Sequence, residues 1–213
     1  MSLHTPPYLP AGTVYGTLLN FRDEVSSLAG QMLQPPYKAP PQAPVLYIKT
    51  ANTWSPNGTG IPLPAHVTEV EVGATIGMVM GAHGAAALVL MNDLSLPHAS
   101  FFRPPVKFKC LDGFLGIGSL LADAQTTGDP ARFQLLVHIN GALRQTVNFS
   151  GVVRSAAQLL ADVQEFMTLR EGDVLMLGCA AGRPRAKAGD RISINAPGLP
   201  LGMLTNTLVA EAS

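Results

Sequence analysis

Charged residues are scarce in this sequence, and they form no long runs. Only 13% of the 213 residues are charged, and 14 basic residues balance 14 acidic ones, so the formal net charge is zero. Proteins that bind nucleic acid or anionic membranes carry a basic patch or stripe. The few basic residues of this chain are spread out and form no such cluster. We therefore expect neither nucleic acid nor a membrane among its partners. Zero net charge also favours a surface that is partly buried in an oligomer.

Cysteine is also rare, and no secretion signal is evident. The two cysteines, Cys110 and Cys179, lie far apart, which is not the density of a secreted fold built on disulfides. Residues 1–12 contain prolines where a signal peptide needs an apolar run, and no apolar stretch approaches the roughly 18 residues of a membrane span. We therefore expect a cytoplasmic protein.

Hydrophobic residues, glycine and proline are abundant. The sequence is 47% hydrophobic, and its 21 glycines and 18 prolines divide it into short segments. Short apolar segments between turns are typical of a sheet-rich protein with a large core. We predict a single domain of the α+β class, dominated by sheet, in the form of a mixed β-sandwich or roll with two or three helices.

Hydrophobic periodicity predicts the individual elements. Segments 20–33 and 155–167 have the helical spacing of apolar residues. The Asn140-Gly141 dipeptide between two apolar runs predicts a hairpin, because both residues tolerate the positive φ of a tight turn. Strands are predicted for the other apolar or alternating segments: 45–49, 67–72, 73–80, 85–91, 133–139, 143–149, 174–177 and 191–194.

Two carboxylates alternate along one predicted strand. Glu69 and Glu71 are two residues apart, so a strand places them on the same face. With a third carboxylate such as Asp93, they could form an oxygen site for Mg²⁺ or Ca²⁺. The alternative is the solvent-facing side of an edge strand, which alternating Glu and Val residues typically form.

A second polar group follows the apolar strands and runs from Asn92 and Asp93 through Arg103 to Lys107, Lys109 and Asp112. On a strand Lys107 and Lys109 would share one face, and a lysine buried near a carboxylate could have the depressed pKa that proton transfer needs. The alternative is an ordinary amphipathic edge strand with the intervening Phe108 inside.

The remaining reactive side chains form no motif of their own. The five histidines lack a metal-ligand spacing such as His-x-x-x-His, and each is interpreted as a surface or structural residue. Cys179 follows a predicted strand, but no histidine motif accompanies it. A small buried hydrophobic residue is therefore favoured over a nucleophile.

The order of short motifs along the chain is more informative than any one of them. The motifs are Leu19-Asn20-Phe21-Arg22, Tyr37-Lys38-Ala39-Pro40-Pro41, Gly73-Ala74-Thr75-Ile76, Asn92-Asp93, Lys109-Cys110-Leu111-Asp112-Gly113, Ile139-Asn140-Gly141 and Leu169-Arg170-Glu171-Gly172-Asp173. Their order resembles the fumarylacetoacetate hydrolase family over nearly the whole chain. Within the family, the similarity is greatest to the N-terminal half of the isomerase/decarboxylases of aromatic-acid catabolism.

This resemblance implies a fold and an activity. It implies a fumarylacetoacetate-hydrolase-type β fold over residues 45–213, preceded by an N-terminal cap segment and a proline-rich loop over residues 1–44. The implied reactions are isomerisation and decarboxylation of 2-oxo or 2-hydroxy dienoic di- or tricarboxylic acids in 4-hydroxyphenylacetate or homoprotocatechuate catabolism. The implied cofactor is Mg²⁺ or Mn²⁺, which stabilises an enolate. Besides the oxo-acid substrate, the implied partner is a second copy or a homologue of the family's C-terminal half.

The metal site that the resemblance implies is incomplete in this sequence. Family members hold the metal with a Glu-x-Glu pair and the aspartate of Asn-Asp, and the matching positions here are Gly73, Thr75 and Asp93. One carboxylate cannot hold Mg²⁺ firmly, so the resemblance leaves Asp93 as the only ligand, and the alternative is a chain that binds no metal. Glu69 and Glu71 would reach this site only if the strand slipped by four residues.

The resemblance assigns further roles to five residues. Lys109 matches the catalytic lysine, and Asp112 follows it at the family's spacing. Glu24 falls at the position of the family's acid/base histidine. Cys179 falls at the substrate-contacting threonine of a Gly-Thr-Pro motif, and Arg103 is a further candidate for substrate binding.

Two hypotheses of function remain open at this point. In the first, the chain belongs to an isomerase/decarboxylase, either active through Lys109, Asp93 and Asp112 or completed by a metal-competent partner. In the second, it is a catalytically degenerate scaffold or regulatory subunit that pairs with an active homologue. Loss of metal ligands favours the second, because enolate chemistry without the cation loses transition-state stabilisation.

Overall fold

A computed structural model describes residues 7–98 and 105–211. Strands dominate these residues, and the helices are few and short. In chain order the elements are β1 (Val14–Leu18), α1 (Arg22–Met32), β2 (Val45–Lys49), β3 (Trp54–Pro56), β4 (Gly60–Leu63), β5 (Val70–Glu71), β6 (Ala74–Gly81), β7 (Gly84–Asp93), α2 (Val106–Lys109), β8 (Leu115–Ile117), β9 (Ala122–Asp123), α3 (Ala124–Thr127), β10 (Gln134–Ile139), β11 (Ala142–Asn148), α4 (Ala156–Gln164), β12 (Val174–Met176), β13 (Arg185–Ala186), β14 (Arg191–Asn195) and β15 (Met203–Ala210).

The strands form two packed sheets and a small two-stranded ladder. The larger sheet has the order β2-β1-β12-β6-β7-β8-β3, with β9 also paired to β7, and it mixes parallel and antiparallel neighbours. The second sheet has the order β11-β10-β14-β15-β4, and β13 pairs with β5 alone. The prediction of a sheet-dominated α+β fold is therefore confirmed.

The larger sheet is apolar on both faces because both are covered. Ile76 and Met78 of β6 belong to the core shared with the second sheet, whereas Val79 belongs to a separate cluster. That second cluster also contains Tyr47 from β2 and Leu115 from β8, which lie near opposite edges of the sheet. These two residues share one cluster because the sheet curls around it.

Most predicted elements are present with shifted ends. The helices predicted at 20–33 and 155–167 are α1 and α4, and Ser155 caps the second by accepting a hydrogen bond from the Gln158 N–H at 3.2 Å. The predicted hairpin joins β10 and β11 through Asn140 and Gly141, both with positive φ. Segments 73–80 and 85–91 are β6 and β7, paired directly as a hairpin.

The strand predicted through Lys107 and Lys109 is wrong. Residues Val106–Lys109 form the single turn α2, closed by the Lys109 N–H donating to the Pro105 carbonyl at 2.9 Å. The turn separates the two lysines, since Lys107 is exposed and Lys109 is fully buried. A Lys-Phe-Lys triplet is too short for its alternation to distinguish a strand from one helical turn.

The segment expected as an N-terminal cap supplies a strand to the larger sheet. Within residues 1–44, β1 pairs with β2 on one side and with β12 on the other. This pairing fixes where α1 begins, immediately after β1. No helix within residues 7–98 and 105–211 is long and apolar enough to cross a membrane.

The Gly-Asp pairs form turns that fix the strands after them. The Asp173 carboxylate accepts hydrogen bonds from the N–H groups of Arg170 and Thr13, each at 2.7 Å. Gly172 supplies the positive φ, 87°, that this turn requires. The carboxylate of Asp190 makes the corresponding bond to the N–H three residues upstream. Asp173 thereby ties the start of β12 to the start of β1.

We predict that Asp173→Ala lowers the free energy of unfolding by roughly 2–4 kcal/mol, because it removes a buried acceptor of two charge-assisted hydrogen bonds. Chemical denaturation of the purified chain measures this change. Glu171→Ala, at an exposed position in the same turn, is the matched control and should change stability by less than about 0.5 kcal/mol. Equal effects of both substitutions would show that Asp173 does not fix the turn.

Candidate functional site

A buried carboxylate at the end of β7 lies at the centre of the site. Asp93 is fully buried, and its Oδ2 accepts hydrogen bonds from Lys109 Nζ at 2.6 Å and from the Tyr47 hydroxyl. Its Oδ1 lies 3.0 Å from Lys49 Nζ, with which it forms a buried ion pair. Two ammonium groups and a phenol therefore compensate one buried negative charge.

Both lysines are held in place by the surrounding chain. Lys49 Nζ also donates to the carbonyl oxygens of Leu94, at 3.1 Å, and Lys109, at 2.5 Å. Lys109 Nζ lies 4.6 Å from the centre of the Tyr47 ring, over its face. The strand β2 carries Tyr47 and Lys49 on the same face, because residues two apart on a strand point the same way.

The protonation states follow from burial and from these contacts. Burial alone would raise the pKa of Asp93, but the charges of Lys109 and Lys49, with hydrogen bonds from Lys109 and Tyr47, hold it well below its ordinary value. Burial lowers the pKa of Lys49, and Asp93 opposes that shift. Burial and the Asp93 charge raise the pKa of Tyr47. At neutral pH, Asp93 is thus ionised and Tyr47 keeps its proton.

A second charged group lies beside the first. Arg183 Nη2 donates to Glu24 Oε1 at 2.6 Å, and Nη1 lies 3.6 Å from Glu71 Oε2. Glu24 also accepts a hydrogen bond from the Leu19 N–H at 2.7 Å. Burial raises the pKa of Glu24, while the charge of Arg183 opposes the shift. The start of α1 is fixed by Asn20, whose amide donates to the Leu177 carbonyl at 2.9 Å.

Cys179 lies between the two charged groups. Its thiol is buried beside Gly73, and the charges of Arg183, Asp93, Lys109 and Glu24 act on its pKa. Burial raises the pKa of this thiol to about 12, so it stays protonated at neutral pH. A buried, protonated thiol supports the interpretation as a small hydrophobic residue rather than a nucleophile.

The strand register places Gly73 and Thr75 where the resemblance expects metal ligands. The Asp93 N–H donates to the Gly73 carbonyl at 2.8 Å, and the Thr75 hydroxyl donates to the Gly178 carbonyl at 2.6 Å. A Cβ atom on Gly73 would lie 2.4 Å from the Asp93 carbonyl oxygen and 3.0 Å from Cys179 Sγ. No side chain fits at Gly73 without a shift of the neighbouring backbone.

The upstream glutamates do not substitute for the missing ligands. Glu71 pairs with Ser95, and Gly73 lies beside Asp93 in the same continuous register. The strand has therefore not slipped by the four residues that would bring Glu69 and Glu71 to the metal position. Glu69 is partly exposed and forms an ion pair with Arg185. Each of the two carboxylates lies beside an arginine, Glu69 beside Arg185 and Glu71 beside Arg183.

The described residues do not fit a divalent cation. Mg²⁺ and Mn²⁺ need several anionic or neutral oxygens converging on one point, and Asp93 is instead surrounded by hydrogen-bond donors and ammonium groups. Within residues 7–98 and 105–211, no group of three or more His, Cys, Asp or Glu side chains is arranged to hold a metal. The cation therefore has no step in the chemistry that we derive for this chain.

The structure unites some of the residues singled out in the sequence and separates others. Lys109 contacts Asp93, and Glu24 and Cys179 lie in the adjoining group. Asp112 is exposed and accepts a hydrogen bond from the Asn52 amide at 2.6 Å, outside these contacts. Arg103 lies outside the described residues. The roles of all five residues and the metal role of Asp93 stay predictions.

Sequence reasoning missed three residues of the site, Tyr47, Lys49 and Arg183. A signal existed for Lys49, because a lysine inside an otherwise apolar predicted strand needs a buried partner. Tyr47 is two residues before it and hence on the same face. Arg183 lies between Gly182 and Pro184 in a loop, where spacing predicts no contact.

The similarity to known sequences covers almost the whole chain. The sequence model of the fumarylacetoacetate (FAA) hydrolase C-terminal family matches residues 13–209. The 4-hydroxyphenylacetate degradation bifunctional isomerase/decarboxylase of Salmonella dublin is 37% identical over 211 residues, covering 94% of this chain and 48% of that protein. This chain thus spans about half the length of the bifunctional relatives that it matches.

Solved structures show the same fold. The 2-hydroxyhepta-2,4-diene-1,7-dioate isomerase of Mycobacterium marinum has a TM-score of 0.76 at 22% identity, covering 96% of this chain and 77% of that one. Fumarylpyruvate hydrolase from Pseudomonas aeruginosa, solved with Mn²⁺ and pyruvate, has a TM-score of 0.78 at 18% identity, covering 95% and 91%. At these identities the similarity establishes the fold alone.

We predict that Asp93→Asn lowers the free energy of unfolding by roughly 3–5 kcal/mol, because it leaves two buried ammonium groups without their counter-charge. The pKa of Asp93 is lower in the folded chain than its ordinary value of 3.8. Its contribution to the free energy of unfolding is therefore complete above pH 3.8 and is lost as the pH falls from 3.8 through the folded pKa. The stability difference between wild type and variant, measured by denaturation, should therefore shrink in acid. Asp112→Asn, at an exposed carboxylate, should change stability by less than about 0.5 kcal/mol; a loss as large as that of Asp93→Asn would contradict the account.

Gly73→Ala should destabilise the chain by roughly 1–3 kcal/mol, since the new methyl group overlaps the Asp93 carbonyl. Gly30→Ala is the matched control, because its Cβ meets nothing within 4 Å on the exposed side of α1, and it should stabilise the helix by up to about 1 kcal/mol. Thermal unfolding measures both. A Gly73→Ala variant as stable as wild type would show that the backbone beside Asp93 can accommodate a side chain at position 73.

Proposed function

We propose that this chain, which belongs to the fumarylacetoacetate hydrolase family, is one half of an isomerase/decarboxylase for 2-oxo or 2-hydroxy dienoic di- and tricarboxylic acids in aromatic-acid catabolism. The observation that carries the proposal is the similarity to the bifunctional isomerase/decarboxylases along 94% of the chain. Because the chain spans about half of those proteins, we further propose that it works in a homo-oligomer or with a homologue of their other half.

The buried charges support a proton-transfer role. Isomerisation of a 2-hydroxydienoate to a 2-oxoenoate removes the proton from the enol oxygen and adds one to carbon, through a dienolate. Lys109 is the proposed proton donor: the enol proton leaves to solvent to give the dienolate, the Lys109 ammonium donates a proton to the dienolate carbon, and solvent reprotonates the Lys109 amine, so that protons balance over the cycle. Asp93 holds the Lys109 ammonium in place, and Lys49 and Tyr47 hold Asp93.

The same charges support stabilisation of the intermediate. A dienolate concentrates negative charge at the oxo-acid end of the substrate, and buried ammonium groups stabilise such a charge more strongly than solvated ones do. Lys49 and Lys109 supply two positive charges against the single charge of Asp93. The decarboxylation also passes through an enolate, which the same two ammonium groups are proposed to stabilise.

The hypothesis of a degenerate scaffold is less well supported. A buried ion pair usually contributes little net stability, and well-packed hydrophobic residues could replace it without loss. A subunit with only a structural role would have no need for the lysines around Asp93. Buried charged groups with shifted pKa values are instead typical of functional sites.

We predict that Lys109→Met lowers the rate of isomerisation by roughly 10²–10⁴-fold, the usual contribution of a general acid/base. The measurement follows ultraviolet absorbance of 2-hydroxyhepta-2,4-diene-1,7-dioate, with the chain alone and after mixing with a homologue that has an intact Glu-x-Glu pair. Lys107→Met is the matched control: it lies in the same helical turn, is exposed, and should keep the wild-type rate.

Two results would contradict the proposal. Absence of turnover in both preparations would argue for the scaffold hypothesis. Turnover in the mixture that is unchanged by Lys109→Met would remove this chain from the chemistry and leave it a structural role.

A further inference from the structure

Arg183 is a buried arginine with donors to spare. Its side chain is 8% exposed, and within the described part of the chain its ion pairs are those with Glu24 and Glu71. The contact from Nη2 to Glu24 is short, at 2.6 Å. The contact from Nη1 to Glu71 is 3.6 Å long, which is beyond hydrogen-bond distance. Its Nε is buried and has no hydrogen-bond partner among the described residues.

An unpartnered buried donor is uncommon in a folded protein. Leaving such a group unsatisfied costs stability, so each case calls for an explanation such as a ligand. A guanidinium group presents its N–H donors in a planar fork that matches a carboxylate. Arg183 therefore has the chemistry to bind a carboxylate.

The loop that carries Arg183 is fixed on both sides. The Val72 N–H donates to the Pro184 carbonyl at 2.9 Å, and the Gln145 amide donates to the Ala181 carbonyl at 2.8 Å. Glu24 on α1 then orients the guanidinium group from one side. Glu71, 23% exposed, lies on the side open to solvent, where an incoming carboxylate can displace its weak contact.

The site therefore contains two cationic centres rather than one. The first is the pair of ammonium groups of Lys49 and Lys109 at Asp93, and the second is the guanidinium group of Arg183, which is available to a carboxylate ligand where that ligand takes the place of Glu71. The two centres are close along one segment of chain, because Gly73 accepts a hydrogen bond from the Asp93 N–H at 2.8 Å and Glu71, two residues earlier, lies beside Arg183. Two neighbouring cationic centres match a substrate with a carboxylate at each end.

We propose that Arg183 binds the carboxylate at the end of the substrate remote from the enol, and that Glu24 positions it. This inference rests on the proposed function for the class of substrate, a dicarboxylic dienoate. It assigns to Arg183 the discrimination between diacids and monoacids, and it leaves proton transfer to Lys109.

The test compares binding of two non-reacting probes by isothermal titration calorimetry: heptanedioate, and hexanoate, which lacks the second carboxylate. Wild type should bind heptanedioate at least about 10-fold more tightly than hexanoate, the preference given by one good charge-assisted pair. Arg183→Met should abolish this preference, while Arg183→Lys should keep part of it. Arg185→Met is the matched control, because that arginine is 54% exposed and paired with the surface residue Glu69, and it should keep the full preference.

A structural role for Arg183 predicts a different pattern. Arg183→Met leaves Glu24 buried without its partner, so thermal unfolding of every variant is recorded, and Arg183→Lys provides a charge-conserving variant if Arg183→Met does not fold. If Arg183 were only structural, the folded variants would lose stability but keep the diacid preference, and the inference would be overturned.

The binding experiment also separates this inference from the proposed function. A diacid preference that depends on Arg183, in a chain without isomerase activity, would support the inference and count against the function. Turnover by a wild-type chain that shows no diacid preference would support the function and overturn the inference. For an active chain, Arg183→Met should raise KM for the heptadienedioate far more than it lowers kcat.

Discussion

The site is organised around the neutralisation of one buried carboxylate. Asp93 receives hydrogen bonds from Lys109 and Tyr47 and the charge of Lys49, and these three side chains come from β2 and α2, which are remote in sequence from each other. Burying any of these charges alone would be costly, so each requires the others. The curl of the larger sheet brings β2 near β7, and the single helical turn α2 directs Lys109 inward. The carboxylate that would otherwise serve a metal is occupied by ammonium groups.

Much of this fold was predictable from local pattern. The Asn140-Gly141 turn, the helix of α4 behind Ser155 and the doubly apolar β6 follow from turn chemistry, capping and periodicity, which act over a few residues. Other elements were not predictable in this way. In β15, the inward position between Leu204 and Leu208 is Asn206, whose amide donates to the backbone carbonyls of Pro56 and Thr59, so the apolar alternation is interrupted.

The site was predictable only in part, for a similar reason. Asp93, Lys109, Glu24 and Cys179 could be named because the family resemblance carries positions along the chain. Their contacts depend on which strands become neighbours, and the Lys-Phe-Lys alternation suggested the wrong geometry for Lys109. Arg183 could not be predicted as a site residue, because its partner Glu24 is 159 residues away in the sequence. Two cationic centres, one beside Asp93 and one at Arg183, emerge only from the folded chain, and together they support recognition of a diacid.

The central claim is that ammonium groups, and not a dication, neutralise Asp93 in this chain. Anomalous diffraction from crystals grown with Mn²⁺ tests it most directly, because the manganese signal locates the ion without reference to activity. We expect no anomalous peak within about 2.5 Å of the Asp93 carboxylate and expect the nitrogens of Lys49 and Lys109 in contact with it. A peak at bonding distance from Asp93, with the lysines displaced and other oxygens completing the coordination, would contradict it.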